Sequence, residues 1–229
     1  MQNLIVCYIG QDCEKTLKLS LDSIKDVADH VVFVDGGSED RTLDILDSYG
    51  FYPYENVEKA ERYYKENEKY HLIKREYEHE NKEANGRARN CYLDFIKKHF
   101  KGDWCLVLDP DELTDDRFGD FVKKLKTTNF GKTEIFSVHM RHTIRDLVNE
   151  DATYPVHYVA NRLFKIDDEL FYPETEHPIL STKIPKYFEY LNDFTIWHLG
   201  YSKEMFTIIK KYKNHLSKST SHTPEFLRK

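Results

Sequence analysis

Residues 104–112 read Trp104-Cys105-Leu106-Val107-Leu108-Asp109-Pro110-Asp111-Glu112. The first five are apolar without a break, which suits a strand buried on both faces of a parallel sheet. The run stops at two carboxylates one residue apart, and Pro110 stiffens the turn between them. In an open α/β sheet, ligands bind outside the carboxyl ends of the strands, so Asp109 and Asp111 stand where a ligand would arrive. Two hard oxygen donors at this spacing can hold Mg2+ or Mn2+ and leave coordination positions for phosphate oxygens. The triplet also fits a solvated turn whose acids cap the next helix.

Working outward, Leu4 to Ile9 and Val31 to Val34 are two more short apolar runs. Between them Asp12 reads as a helix N-cap ahead of Leu17, Leu21, Ile24 and Ala28 at helical spacing. The second run ends at Asp35-Gly36-Gly37-Ser38. There a carboxylate could accept hydrogen bonds from a nucleobase imide or a ribose hydroxyl, and Gly36 would let a ligand approach the backbone. Ser38 then reads as the cap of a helix carrying Leu43 and Leu46. The order strand, helix, strand, helix is a βαβ opening.

Phe51 to Tyr54 predicts a short edge strand, because Pro53 cannot donate to a ladder on both sides. From Glu55 to Asn85 the composition changes, with 16 charged residues in 31. This stretch is expected to be a solvated helix or insertion, with a flap over an acceptor as the alternative. Ala88, Cys91, Tyr92, Phe95 and Ile96 mark a helix closed by Gly102, and Phe118, Phe121, Val122 and Leu125 mark another. Later strands are expected at 135–140, 158–165 and 194–198. Ser202 would cap a closing helix with Phe206, Ile209, Tyr212 and Leu216 inward. The fold class is α/β, a mostly parallel sheet flanked by helices with a more antiparallel second half. One domain is expected over 1–229.

The chain has 229 residues, 40% of them hydrophobic, with 16 Tyr and 14 Phe to build a core, so disorder throughout is excluded. Its 34 basic and 40 acidic residues give a net charge of −6, which lacks the footprint of a nucleic-acid binder. No run of 18 apolar residues exists to cross a bilayer. The four cysteines form no C-x-x-C pair, and the start Met1-Gln2-Asn3 has no basic region, so a reducing, cytoplasmic setting is expected. Lysines near the end (Lys203, Lys210, Lys211, Lys213) suit either a solvated helix face or peripheral contact with an anionic membrane.

Several motifs together resemble glycosyltransferase family 2. The stretch His30-Val31-Val32-Phe33-Val34-Asp35-Gly36-Gly37-Ser38-Glu39-Asp40-Arg41-Thr42 is similar to the family's V-D-x-x-S-x-D-x-T opening. Gly86-Arg87-Ala88-Arg89-Asn90, then Gly102-Asp103-Trp104 through Glu112, resembles its middle signature. Asn161-Arg162-Leu163-Phe164 and Trp197-His198-Leu199-Gly200-Tyr201 resemble two later ones. The resemblance spans about residues 4–215 in order. It implies a GT-A fold, a nucleotide-diphosphate sugar donor with UDP favoured, a divalent metal, and transfer with inversion to a glycan or lipid-linked saccharide.

By that resemblance, residues 1–112 form the nucleotide-sugar half, 113–200 the acceptor half and 201–229 a closing helix and tail. Donor binding is assigned to Ile9, Asp35, Gly36, Arg87, Arg89, Asp109 and Pro110. Metal binding is assigned to Asp109, Asp111 and His198. The general base is Glu176, with Glu174 and His177 as reserves in Glu174-Thr175-Glu176-His177-Pro178. Two departures stand out: the first strand ends in Ile9-Gly10-Gln11-Asp12 rather than Asn-Glu, and the His-Glu pair after R-L-F is displaced. These departures motivate an alternative, a non-catalytic nucleotide-sugar or carbohydrate-binding module. A metal-dependent phosphohydrolase also uses D-x-D after a strand, but near its N-terminus, and a sugar-nucleotide pyrophosphorylase would need a basic, glycine-rich first loop.

Overall fold

A computed structural model describes residues 2–54, 68–77, 83–144, 158–175 and 177–201. Eleven strands and four helices are assigned among them. The first unit is β1 (Leu4–Gly10), α1 (Leu17–Ile24) and β2 (His30–Asp35), followed by α2 (Thr42–Ser48) and two short strands, β3 (Tyr52–Tyr54) and β4 (Tyr70–Lys74). Then come α3 (Ala84–His99), β5 (Trp104–Val107), β6 (Glu112–Thr114) and α4 (Phe118–Thr127). The second half is strands: β7 (Thr133–Ile144), β8 (Tyr158–Lys165), β9 (Leu170–Phe171), β10 (Ser181–Thr182) and β11 (Tyr187–Tyr201).

Nine strands make one sheet in the order β3-β4-β2-β1-β5-β8-β7-β11-β6, and β9 and β10 pair separately. The pairs from β3 to β5 are all parallel. β8 lies antiparallel to β5 and β7, and β6 antiparallel to β11, while β7 and β11 are parallel. The α/β expectation with a more antiparallel second half therefore holds.

The unbroken apolar runs follow from two cores, one on each face. In β1, Leu4, Val6 and Tyr8 join one core with Leu17, Leu21, Leu46 and Phe121. Ile5, Cys7 and Ile9 join the other with Tyr92, Phe95 and Ile96 of α3. β5 alternates likewise, with Trp104 and Leu106 on one side and Cys105 and Val107 on the other. Side chains that alternate between two covered faces must all be apolar, which is why neither strand shows a polar period.

Three local expectations are corrected. Residues 70–74, placed in the charged 55–85 insertion, form a buried strand between β2 and β3, with His71, Leu72 and Ile73 at 0%, 5% and 1% exposure. Charged neighbours on both sides masked a core strand three buried residues long. Asp12 caps no helix: it sits at φ 50° and accepts the Glu39 N–H at 2.8 Å, while α1 begins after Thr16. Ser38 is not the cap of α2 either; its hydroxyl bonds Asp35, and Asp40 Oδ1 accepts the Thr42 N–H at 2.8 Å. The expected helix from Ser202 and most of the 55–85 stretch lie outside the described residues.

Candidate active site

The carboxyl ends of β1, β2 and β5 point the same way because the strands are parallel, and the acids that end β2 and follow β5 gather there. Asp35, 2% exposed, closes its own turn by accepting from Gly37 N at 3.1 Å and from Ser38 Oγ at 2.6 Å. Gly36 lies under the Tyr77 ring, which a Cβ would strike. Ile9, Tyr77, Arg89, Asp109, Arg162 and His177 line one cleft of about 820 Å3. Pro110 and Asp111 line an adjoining cleft of about 250 Å3, and Gly10 and Gln11 border both.

Asp109 is held by two cations. Arg89 Nη2 donates to its Oδ1 at 2.7 Å and Arg162 Nη2 to its Oδ2 at 3.2 Å. Burial works against its charge, but Arg89 and then Arg162 outweigh it, so its pKa falls below the usual carboxylate range. Arg162 also donates to Glu112 Oε1 at 2.7 Å, and Glu112 Oε2 accepts the Asp109 N–H at 2.8 Å. Glu112 is 1% exposed; burial pushes its carboxyl up to about 8, against the pull of Arg162. This lattice fixes the Asp109-Pro110-Asp111 turn from below.

Asp111 faces the end of β11. Leu199 N donates to the Asp111 carbonyl at 2.7 Å, and His198 Nε2 stands 3.6 Å from Asp111 Oδ2. Behind it, His198 Nδ1 meets His142 Nδ1 at 3.1 Å, across strands in register. One of the two rings carries the hydrogen between them. The 3.6 Å gap exceeds hydrogen-bond reach, and one carboxylate oxygen with one imidazole nitrogen is a donor set suited to Mn2+. A Cβ on Gly200 would collide with the His198 ring and come within 3.0 Å of Asp111 Oδ2, so only glycine leaves this cradle open. Among the described residues no group of three His, Cys, Asp or Glu gathers for a metal.

The segment after β9 is riveted to α3. Asn90 donates its amide to Tyr172 O at 2.8 Å and accepts Tyr172 N at 2.9 Å. A Cβ on Gly86 would run into the Pro173 carbonyl. Arg87, assigned to donor binding by the resemblance, pairs with Glu83 and, at 3.0 Å, with Glu174. Glu174 is therefore half-exposed and ion-paired, while His177 borders the large cleft. Glu176 lies outside the described residues.

Residues 4–132 match the Glycosyl transferase family 2 profile, more than half of the chain. The chain belongs to glycosyl transferase family 2. Among solved structures, S. aureus TarS (residues 1–349) is similar at 17% identity with a TM-score of 0.52, over 86% of this chain and 60% of that one. The family 2 chain thus spans about 60% of that neighbour's length, and at this identity the likeness shows the fold. A glucosyl-3-phosphoglycerate synthase from Mycobacterium tuberculosis, solved with Mn2+ and uridine-diphosphate-glucose, matches at 16% identity and a TM-score of 0.40, over 61% of this chain and 44% of that one. Curated protein sequences give no match.

The family 2 match ends before β7, yet β7, β8 and β11 supply His142, Arg162 and His198. Arg162 and Glu112 stand in motifs legible in the sequence, but their roles were not: an Arg in R-L-F does not announce that it grips two acids 53 and 50 positions away. His142 carries no sequence signal at all, since only the β7–β11 register brings it to His198. Of the expected site residues, Asp111 and His198 come together, Asp109 lines the cleft beside that turn, and Asp35 ends β2 at the same edge of the parallel strands. Arg87 and Glu174 form a pair of their own.

Proposed function

We propose that this chain is a metal-dependent inverting glycosyltransferase. It would move a sugar from a nucleotide-diphosphate donor, UDP-linked by preference, to a hydroxyl of a glycan or lipid-linked saccharide. The observation that carries this reading is the approach of Asp111 and His198 to 3.6 Å at the mouth of a parallel sheet, beside a cleft that also holds Asp109.

Asp111 and His198 would hold Mn2+ or Mg2+ and leave positions for diphosphate oxygens, whereas Asp109, also assigned to the metal by the resemblance, has its carboxylate taken up by Arg89 and Arg162. A bound cation would offset charge developing on the leaving diphosphate. His142 would fix the tautomer and orientation of His198. Asp35 and Asp109 are committed to their own turn and to two arginines. They would shape the nucleoside pocket, with Ile9 and Gly36 supplying its walls. Arg89 would act through Asp109.

Inversion requires a base on the face opposite the leaving group, an effect of about 10²–10⁴-fold. Glu176 is the proposed base. Its reserves differ in setting: His177 borders the cleft, whereas Glu174 faces Arg87.

The test is transfer and donor hydrolysis with Mn2+ across UDP, GDP, CMP and dTDP sugars. Asp111→Ala should abolish turnover, and Glu176→Gln should retain donor binding while losing transfer. Full activity of Asp111→Ala would remove the metal role, and full activity of Glu176→Gln would move the base to His177 or Glu174.

A further inference from the structure

At the start of β11, Phe188 and Tyr190 are 60% and 64% exposed although both are large aromatic rings. Residues two apart on a strand share a face, and both of these line the same cleft as Asp109. Their rings stand 6.4 Å apart at 86°, a corner rather than a flat platform. Tyr190 is in register with Ser137 on β7, and Ser137 with Asn161 on β8, so a row crosses the sheet from ring to hydroxyl to amide. Ser137 Oγ bonds Asn161 Oδ1 at 2.6 Å, and both residues line the cleft. Beyond Asn161 lies Arg162 with its acids. The cleft therefore grades from charged at the strand ends, through neutral polar groups, to aromatic.

From this gradient we infer that Phe188 and Tyr190 form the acceptor subsite and that the acceptor presents a neutral pyranose. The inference rests on the glycosyltransferase reading above. A pyranose has an apolar face that packs on an aromatic ring and an equatorial rim of hydroxyls that suits Ser137 and Asn161. One perpendicular ring pair accommodates one sugar ring, which favours a terminal residue. An anionic acceptor is disfavoured by charge. The arginines lining the described part of the cleft, Arg89 and Arg162, are both ion-paired with Asp109 or Glu112. A lipid surface is disfavoured because the rings lie in a cleft beside hydrogen-bonding groups rather than on a convex face.

The experiment measures acceptor kinetics and saturation-transfer NMR with methyl pyranosides of glucose, galactose, mannose and N-acetylglucosamine. The comparison ligands are 3-phosphoglycerate and phosphatidylglycerol vesicles. A pyranoside should bind and be glycosylated. Phe188→Ala and Tyr190→Ala should each raise its KM about 10-fold, as loss of about 1.4 kcal/mol of ring contact would. Phe188→Leu should behave like Phe188→Ala and Phe188→Trp like the unaltered chain, which separates ring stacking from general apolarity. Donor affinity by calorimetry should not move. Both side chains are exposed, so the substitutions leave the core intact. Unchanged acceptor KM, turnover of 3-phosphoglycerate without any pyranoside, or loss of vesicle binding in place of sugar binding would overturn the inference. Donor binding without any pyranoside bound overturns it alone; absence of donor binding in the unaltered chain overturns the transferase reading with it.

Discussion

Arg162 donates to Glu112 at 2.7 Å in a place where Glu112 is 1% exposed, so the structure keeps an ion pair almost out of water. Such a pair contributes little by itself, because desolvation offsets most of the attraction, but removing one partner strands the other charge. Arg162→Ala should therefore cost about 3–5 kcal/mol in unfolding free energy above pH 8, where Glu112 is charged, and less below it. Adding Glu112→Gln should restore part of that loss. Urea titrations of the two single variants and the double variant would show it, and strict additivity would dismiss the coupling.

Gly200→Ala is a sharper test of the proposed cation pair than removing a ligand. The added methyl displaces the His198 ring while both donors remain in the chain. Mn2+ affinity, read by calorimetry in the presence of UDP, should fall about 10–100-fold, the usual scale for disturbing the support of a metal ligand. Unchanged affinity would mean that His198 is not a donor.

His142→Phe keeps an aromatic ring but deletes both ring nitrogens, including the Nδ1 that meets His198 at 3.1 Å. Metal affinity should again fall about 10-fold, while the melting temperature changes little. An equal loss of stability and affinity would assign His142 to packing alone.

At the opposite end of the sheet, His71 is fully buried between His30, with ring centroids 5.6 Å apart, and Phe95, at 5.3 Å. Burial, reinforced by His30 and His99, lowers its pKa to about 3. The unfolded chain takes up a proton near pH 6.5 that the folded chain refuses until about pH 3. Stability is thus fully present above pH 6.5 and lost as pH falls through that window, by up to about 1.4 kcal/mol per unit. His71→Phe should flatten the pH dependence of the urea midpoint between pH 7.5 and 5; an unaltered slope would assign it to other groups.

Ile73→Ala tests the strand hidden in the charged segment. At 1% exposure between β2 and β3, its truncation should cost about 2–4 kcal/mol by calorimetry. A change under about 0.5 kcal/mol is what a surface position would give.

The runs at 4–9, 31–34 and 104–108 determined the parallel half from sequence alone, because strands covered on both faces admit only apolar side chains and cannot hide. The acids that close them, Asp35, Asp109 and Asp111, were legible for the same reason: a strand's end is where its apolar run stops. What the sequence left undecided depends on partners far along the chain. Tyr70 to Lys74 looks like its charged neighbours until β2 and β3 pair with it on either side. Arg162 gripping Asp109 and Glu112, His142 behind His198, and the ring corner beside Ser137 all follow from register between strands. Register is fixed by hydrogen bonding and packing between distant segments, and no local pattern of residues encodes it.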